Sequence, residues 1–407
     1  MFCLLLAFSA LSLSTAPIVF TQARGTQPPR LALLSPTGQV RVLSQGFYAA
    51  TDPEVYFDGT HILFAAKHTQ ADPYQIFEMN ADGAAIRQIT HSSADCRQPV
   101  YQSRIFTLDE PMPWDQVAYV SNGSLHSVKL DGSAHQQLTF TPTQDADPLI
   151  LPDGRMIYAS QNRLFGVNLD GTDYALFLDR AGRTPAITTN REVIFVEPNG
   201  RLASIHLDRP LFTYRALTTA AAGVFESPYG LPDGQILAAR KTTATFGLVR
   251  FDPKTKTTTP VFDSPDFDDT QPRLVAPRDL PDGRGSVVDE SEPTAHLYCQ
   301  SVFTTDQPKT ASAAKRVRLI TADGILGETG LEDDGSFHVL IPANRAVKVQ
   351  LIDAKGELLR TSNWIWSRNK ENRGCIGCHE DPELSPDNRE AKAVIKKAVP
   401  MLAGAHK

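Results

Sequence analysis

The feature that most constrains this chain is a repeated pair of β-hairpin signals. Each unit begins with an Asp-Pro or Ser-Pro pair and a short apolar strand. A turn at Asp-Gly follows, and the chain then continues into a second apolar strand. Clear units begin at Asp52-Pro53, Asp147-Pro148 and Ser227-Pro228 and turn at Asp58-Gly59, Asp153-Gly154 and Asp233-Gly234. Asp-Gly tolerates the positive φ angles of tight hairpin turns, and alternating apolar residues bury one face of a strand. Each unit therefore predicts one four-stranded antiparallel sheet.

The spacing of the units predicts how the sheets associate. They recur about every 40 residues, which is typical of one propeller blade. A four-stranded sheet cannot cover its own apolar faces, whereas stacking around an axis covers them. Five complete units lie between Asp52 and Phe262, and segments 31–44 and 271–278 supply one split blade. The sequence predicts a six-bladed β-propeller over residues 31–275; the alternative, an open stack, would leave its edge strands exposed.

The rest of the chain divides into three parts, so the predicted fold class is all-β. Residues 276–291 are rich in Pro, Gly, Asp and Ser and predict a linker. Four β-like runs follow, and they predict a small antiparallel β-sandwich over residues 292–370. Residues 371–407 then form a CxxCH segment and a tail, in which 390–398 has the composition of a short helix.

The N-terminus predicts export. Residues 2–20 are apolar or small and carry no charge, and the small residues around Ala23 offer a cleavage site. Ser, Thr and Pro interrupt the run, which favours a removed signal peptide over residues 1–23 rather than a membrane span. No Lys or Arg precedes the apolar run, which a misplaced start codon or a retained anchor would explain. We expect a periplasmic or otherwise exported protein.

The CxxCH motif is the strongest chemical signal in the sequence. Cys375 and Cys378 are spaced to form thioether bonds with one haem c, and His379 follows as the proximal iron ligand. Half of a zinc site is an alternative, but there is no second CxxC to complete it. A redox CxxC is another, although such motifs usually open a helix in a thioredoxin-like βαβ unit.

The sequence leaves the sixth iron position open. His406, His338 and His296 are the nearest histidines along the chain, and each is more often a surface or hydrogen-bonded residue than a ligand. Met401 is the only methionine after the motif. We therefore expect an open or weakly held sixth site, which would favour chemistry on a small molecule over electron transfer.

Four further residues invite two interpretations each. Cys96 and Cys299 would form a disulfide in an oxidising compartment if they were close together. Cys96 is also a candidate for a functional residue near the haem, against the simpler interpretation of a buried thiol. Trp364 and Trp366 pack on the sandwich or cover a haem edge, and plain core filling explains them equally well.

Charge and motifs exclude some classes of function. The net charge is −6, so the basic surplus of a nucleic-acid-binding protein is missing. Neither G-x-S-x-G nor H-E-x-x-H occurs, so we do not expect a hydrolase.

Two family resemblances accompany these patterns. The repeats, with P-D-G-x-I as their shared core, resemble TolB-like and WD40-like propellers, which host binding, scaffolding and catalysis alike. The second half resembles the hydrazine synthase alpha subunit family. The matching segments are Ile325-Leu326-Gly327, Asp333-Asp334-Gly335-Ser336-Phe337-His338, Ile341-Pro342-Ala343, Leu351-Ile352-Asp353, Gly374-Cys375-Ile376-Gly377-Cys378-His379-Glu380 and Pro386-Asp387-Asn388-Arg389.

The second resemblance implies a haem that faces the propeller, with a free iron position that meets a small nitrogen compound. That family continues into a further domain with a second c-type haem, and this sequence has no second CxxCH. We therefore expect a family relative with one haem rather than a full hydrazine synthase alpha subunit.

Two functions follow as hypotheses. The first is a mono-haem protein that exchanges electrons with a redox partner protein or acts as an oxidoreductase on a small-molecule ligand. The alternative is a propeller scaffold or protein-binding module in which the haem is an accessory sensing or docking element.

Overall fold

Six four-stranded antiparallel sheets occupy residues 18–274 of the computed structural model, and the innermost strand of each contacts those of its two neighbours in a closed ring. The structure describes residues 16–108, 110–377 and 388–402. Within these ranges the predicted six-bladed propeller is confirmed.

The strands are numbered in chain order. Blade 1 begins with β1 (Ile18–Arg24), β2 (Gln27–Leu34) and β3 (Val40–Val42). Blade 2 contains β4 (Ala49–Val55), β5 (His61–Lys67), β6 (Gln75–Asn80) and β7 (Arg87–Gln88). Blade 3 contains β8 (Cys96–Tyr101), the accessory strand β9 (Ile105–Phe106), β10 (Gln116–Ser121), β11 (Ser124–Lys129) and β12 (Gln136–Gln137). Blade 4 contains β13 (Asp145–Ile150), β14 (Met156–Ser160), β15 (Arg163–Val167) and β16 (Ala175–Leu178).

Two further blades complete the ring. Blade 5 contains β17 (Arg183–Ile187), β18 (Glu192–Val196), β19 (Leu202–His206) and β20 (Arg215–Ala216), followed by a 3-10 turn at Ala220–Ala222. Blade 6 contains β21 (Phe225–Gly230), β22 (Ile236–Lys241), β23 (Phe246–Asp252) and β24 (Thr257–Phe262). Strand β25 (Asp268–Leu274) then returns to blade 1 as its innermost strand.

Blade 1 is split between the two ends of the propeller, as predicted, but it begins earlier than predicted. β25 pairs with β1, and Ile18 lies opposite Leu274. Residues 18–23, which we assigned to the signal peptide, form this strand, and Val19 and Phe20 are fully buried. A strand buried on both faces is apolar throughout, so its sequence resembles the apolar core of a leader. The boundary after Ala23 is therefore wrong, because cleavage there would remove β1; a leader compatible with this blade ends before Ile18.

A ring of bulges marks the centre of the propeller. One residue in each innermost strand has a φ between 46° and 56° and precedes a proline: Asp52, Gln98, Asp147, Thr184, Ser227 and Gln271. Proline has no N–H for the sheet ladder, and the register of each blade shifts at this step. The six residues line the central channel, where Gln98 Nε2 donates to Asp147 Oδ1 at 2.8 Å.

The linker is an ordered strap across one end of the propeller. Arg278 N donates to Phe57 O at 2.8 Å, and Asp282 N donates to Pro152 O at 2.9 Å. The short strand β26 (Arg284–Gly285) pairs in parallel with β9. The linker therefore carries the chain from blade 1 across to the side of blades 3 and 4.

The second domain is the predicted β-sandwich. Its elements are β27 (Thr294–Cys299), α1 (Pro308–Ala311), β28 (Arg316–Thr321), β29 (Gly324–Gly330), β30 (Phe337–Pro342), β31 (Lys348–Ile352), β32 (Leu358–Thr361), β33 (Asn372–Cys375) and β34 (Val399–Pro400). One sheet has the order β33-β27-β30-β34 and the other β29-β28-β31-β32. Leu297, Val317 and Val339 are fully buried in the core between them. The sandwich is not wholly antiparallel, because the edge strand β33 pairs in parallel with β27 and the edge strand β34 pairs in parallel with β30.

The predicted helix over residues 390–398 is wrong. Residues 388–402 form turns and then β34. Lys392 N donates to Asp334 Oδ2 at 3.0 Å and Ala393 N to Ser336 Oγ at 2.9 Å, so the sandwich captures the N–H groups that would have begun a helix. In the described residues, no helix is long and apolar enough to cross a membrane.

Candidate functional site

Cys375 is the last residue of β33, the edge strand on which the CxxCH motif begins. It lies opposite Cys299 in the parallel ladder with β27 and is half-buried against the sandwich core. Beyond the strand, Gln300 N donates to Cys375 O at 2.8 Å and Ser301 N to Ile376 O at 3.2 Å. The backbone around the first cysteine is therefore held in place. Cys378 and His379 lie outside the described residues.

Both glycines of this segment are required by close packing. A Cβ on Gly374 would lie 2.6 Å from the ring of Tyr298, and one on Gly377 would collide with the carbonyl of Thr304. The segment therefore passes directly over the end of β27. A half-exposed thiol on such a fixed strand end fits covalent attachment of a haem, which needs the sulfur to be reachable and its position to be defined.

The segment before β33 fixes the second domain to the propeller. Trp366 is fully buried among residues of blades 3 and 4, and its Nε1 donates to Gly171 O at 3.0 Å. Its ring centroid lies 4.1 Å from that of Tyr174. Arg368 Nη1 donates to Gln137 O of β12 at 2.9 Å. The core-filling interpretation is therefore correct for Trp366, which also anchors the domain junction.

Trp364 has a different environment from Trp366. Its ring lies 4.7 Å from Nζ of Lys348, on the sandwich itself. Packing on the sandwich, one of the sequence-based interpretations, is therefore correct for Trp364.

A buried carboxylate secures the same junction. Glu371 Oε1 accepts a hydrogen bond from Asp173 N at 2.9 Å, and Oε2 accepts one from Arg368 N at 2.6 Å. Burial raises the pKa of the Glu371 carboxyl, and these backbone donors oppose that shift. The strand that leads to Cys375 is thus bonded directly to the blade 4 loop.

A cleft opens beside this strand. It has a volume of about 430 Å³ and is lined from blade 4 by Asn168 and Asp173 and from the second domain by Lys370, Arg373 and Gly374. Arg373 Nη2 donates to the carbonyl of Tyr174, which places its guanidinium at the blade 4 surface. The cleft provides space between the propeller and the residue next to Cys375.

The candidate sixth ligands that the structure describes make other contacts. His296 and His338 lie on β27 and β30 and hydrogen-bond to each other through Nδ1 and Nε2 at 2.9 Å. Burial lowers the pKa of His338, and the charge of His296 adds to that effect. Met401 is buried in the sandwich core beside Gly327. His406 lies outside the described residues, so the sixth ligand stays a prediction.

Cys96 and Cys299 do not form a disulfide. Cys96 is a free thiol buried between blades 2 and 3, whereas Cys299 belongs to the core of the sandwich. Burial raises the pKa of the Cys96 thiol, which disfavours the reactive thiolate. The interpretation of Cys96 as a buried core residue is therefore correct.

Three buried side chains of the junction were not predicted. Asp145, Tyr158 and Tyr174 of blade 4 are buried, and Arg373 of the CxxCH strand lies with its Cζ 5.8 Å from the ring centre of Tyr174. Asp145 occupies the same place in its blade as Asp269 does in blade 1, so its sequence position indicated only a repeat residue. Among the described residues, no three His, Cys, Asp or Glu side chains converge as a metal site.

Comparison with known proteins supports the same architecture. The hydrazine synthase alpha subunit middle domain family matches residues 288–380. The hydrazine synthase subunit alpha of Kuenenia stuttgartiensis is 23% identical over an alignment of 496 residues, which covers 84% of this chain and 61% of that protein. The chain thus spans less than two thirds of the length of this relative.

Two solved structures are similar to this chain in fold. A Kuenenia stuttgartiensis hydrazine synthase structure matches 94% of this chain and 71% of its own, with a TM-score of 0.81 and 21% identity. TolB from Acinetobacter baumannii covers 64% of this chain and 67% of its own, with a TM-score of 0.49 and 14% identity. The first match has the same fold over both domains. Residues 288–380 therefore match the hydrazine synthase alpha subunit middle domain, and the whole chain is similar to the hydrazine synthase alpha subunit.

Proposed function

We propose that this chain is an exported c-type haem protein of redox metabolism. One haem is attached through Cys375 and Cys378, with His379 as the proximal ligand. The protein transfers electrons or acts on a small nitrogen compound at the haem iron. The main support is that the CxxCH motif falls within the hydrazine synthase alpha middle-domain match and that its first residue, Cys375, ends a strand paired with β27.

The haem would supply the redox-active iron, and the described residues prepare its surroundings. The parallel ladder with β27 holds Cys375 in one position. The cleft beside Gly374 admits a small molecule and limits its size. Lys370 and Arg373 place positive charge on one wall of that cleft, which would orient an anionic group.

Haem attachment is tested by expression in the periplasm together with a cytochrome c maturation system. We expect a covalent haem stain on the intact chain, and none on the Cys375→Ala/Cys378→Ala variant. Cys96→Ala is the matched control, because this thiol is buried between blades and should leave the stain unchanged. An unstained wild-type chain that is folded and exported would refute the proposal.

The spectrum separates the two kinds of haem function. A high-spin ferric spectrum that shifts with cyanide, carbon monoxide or hydroxylamine would indicate an open iron position and chemistry on a small molecule. A low-spin spectrum that none of these changes would indicate two strong ligands and electron transfer. Export is tested by fractionating cells that express the natural N-terminus.

Protein binding by the propeller is the second candidate function. A cavity of about 460 Å³ lies between the strap and the propeller mouth, with Arg273, Arg278 and Tyr229 in its walls. Such a covered mouth suits a peptide or loop of a partner. Crosslinking in the native periplasm would support this function if the same adducts form with the Cys375→Ala/Cys378→Ala variant, and would contradict it if they disappear with the haem.

A further inference from the structure

The cavity between the strap and the propeller mouth lies apart from the haem strand. Its volume is about 460 Å³, and the innermost strand of every blade contributes to its wall. Residues 276–281 of the strap form the rest of the wall. It shares no lining residue with the cleft beside Gly374. Cavities of this volume are typical sites for a small organic ligand.

Three charged side chains of the wall form one network. Glu54 Oε2 accepts a hydrogen bond from Arg273 Nε at 2.9 Å, and Glu54 Oε1 accepts one from Arg278 Nη2. The exposed fractions of the three side chains are 10% for Glu54, 25% for Arg273 and 28% for Arg278. One carboxylate therefore neutralises only one of two guanidiniums. Arg191 and Asp279, the other charged residues of the wall, are exposed and opposite in sign, so this positive surplus remains.

The guanidinium of Arg278 has a donor that the protein does not use. Nη2 donates both to Glu54 and to the carbonyl of Val55, the latter at 2.9 Å. Nε is buried and has no hydrogen-bond partner among the described residues. The ring of Phe57 holds the group in place, with Cζ of Arg278 4.7 Å from the ring centre. Because an unpaired buried donor on a cation is costly, this position favours an acceptor with a negative charge.

Much of the remaining wall is apolar. It includes Phe57, Ile150 and Leu274 and the prolines that follow three of the bulge residues, Pro148, Pro185 and Pro228. A small inorganic anion would leave this surface in contact with water. An organic anion would cover it and would also neutralise the surplus charge at Arg278.

We propose that this cavity binds an organic carboxylate, with its charged end at Arg278 and its apolar body against Phe57 and the prolines. Free carboxylic acids carry this combination, and so does the C-terminus of a peptide that ends in an apolar residue. The inference deepens the second candidate function, because it names the chemical group that the covered mouth would recognise. It rests on that function only for the peptide, since a free acid would bind without any partner protein.

Isothermal titration of the full haem-loaded chain with 3-phenylpropionate tests the inference. We expect the acid to bind and its neutral analogue, 3-phenylpropionamide, to bind roughly tenfold more weakly, because charge-assisted hydrogen bonds are the stronger ones. Arg278→Gln should weaken binding of the acid by a similar factor. Arg201→Gln is the matched control, since it removes a guanidinium from a comparable pair with Glu197 outside the cavity. Equal affinity for acid and amide, or unchanged binding by Arg278→Gln, would overturn the proposal.

A second pair of variants leaves the bond between Arg278 and Glu54 intact. Leu280 lines the cavity from the strap and is 46% exposed, so its replacement should not disturb the fold. Leu280→Asp should weaken binding of 3-phenylpropionate severalfold through charge repulsion, whereas Leu280→Lys should not weaken it. The same effect from both substitutions would contradict recognition by charge.

A tripeptide that ends in phenylalanine distinguishes the two sources of the carboxylate. Tighter binding of the tripeptide acid than of 3-phenylpropionate would assign the cavity to a partner segment, and the reverse order would assign it to a free acid. Either order supports the proposal if the tripeptide amide binds more weakly than its acid, and no binding of either acid would refute it. The Cys375→Ala/Cys378→Ala chain should give the same affinities, so failure of the haem proposal is visible separately. Carboxylate binding without any crosslinked partner would refute the second candidate function alone.

Discussion

Blades 1 and 4 are built on the same repeat and place an aspartate at the same position, but the two carboxylates have different surroundings. In blade 1, Asp269 is enclosed by donors from neighbouring strands and loops. In blade 4, Asp145 accepts a hydrogen bond from Thr139 Oγ1 at 2.5 Å and has the hydroxyls of Thr143 and Ser160 as further partners. The second domain packs against this blade through Trp366. The same residue type is therefore satisfied by an amide and a backbone N–H in blade 1 and by hydroxyl groups in blade 4.

This comparison shows how a repeat protein accommodates a buried carboxylate. The repeat places the carboxylate at a defined depth, and the neighbouring strands and loops supply its hydrogen-bond donors. Substitutions of the packing tryptophan, of each carboxylate and of a neighbouring core residue should therefore have different effects in the two blades.

Removing the anchor of blade 4 should have the largest effect. Trp366→Ala deletes a fully buried indole and its bond to Gly171 O, which should lower the free energy of unfolding by about 3–5 kcal/mol. The strap at residues 276–291 should become sensitive to protease because the second domain loosens. Trp364→Ala is the matched control, with a loss below about 1 kcal/mol. Equal losses in denaturant titrations would mean that Trp366 is not the anchor.

Replacing either carboxylate by Asn should change the free energy of unfolding, and burial raises the pKa of both Asp145 and Asp269. Burial raises the pKa of Asp145 from 3.8 to about 6, so the folded state binds its proton more tightly than the unfolded state. The stability from this group is present at low pH and is lost as the pH rises through 6. Asp145→Asn removes that loss and should stabilise the protein by up to about 3 kcal/mol above pH 7, with little gain near pH 4.

Asp269→Asn should destabilise under the same conditions. The Asn side chain would place its NH2 group, itself a donor, opposite one of the groups that now donate to the Asp269 carboxylate. The lost hydrogen bond should lower the free energy of unfolding by about 1–3 kcal/mol. Unfolding curves of both variants between pH 4 and pH 8 check the pair. A stability gain from Asp145→Asn that does not depend on pH would refute the raised pKa as its cause.

The smallest effect is expected at Cys96, which occupies in blade 3 the position that Asp145 has in blade 4. Its thiol is buried among apolar residues of blades 2 and 3, and burial raises its pKa. Cys96→Ala should cost about 1 kcal/mol or less. The native thiol should resist iodoacetamide at pH 8 until the protein unfolds, as mass spectrometry would show. Rapid native alkylation, or loss of the redox activity of the haem protein in Cys96→Ala, would assign it a functional role instead.

The propeller was predictable because its signals are local. Each Asp-Gly turn and X–Pro step lies within a few residues of the strands it organises, so five complete units and one split blade followed from the sequence. β1 was missed because Ile18, Val19 and Phe20 have no polar face to distinguish them from a leader. Residues 390–398 were predicted as a helix from their own composition. The hydrogen bonds that prevent the helix come from Asp334 and Ser336, which are far away in the sequence.

The surroundings of the candidate site could be predicted only in part. Cys375 was identified from its motif, and its strand was not, because β33 depends on parallel pairing with β27. The approach of Arg373 to Tyr158 and Tyr174 joins residues far apart in the chain, and neither propensity nor periodicity encodes it. The burial of Trp366 in the propeller had no local signal for the same reason.

The split blade also determines the order in which its strands are synthesised. β1 begins at Ile18, and its partner β25 begins at Asp268. At roughly 5–20 residues per second, the first three strands are made on the order of ten seconds to one minute before that partner exists. Throughout this interval β1 has one unpaired edge, and unpaired edges invite aggregation. The ring therefore closes late, and a nascent chain of this kind depends on protection of its first strand until its last blade arrives.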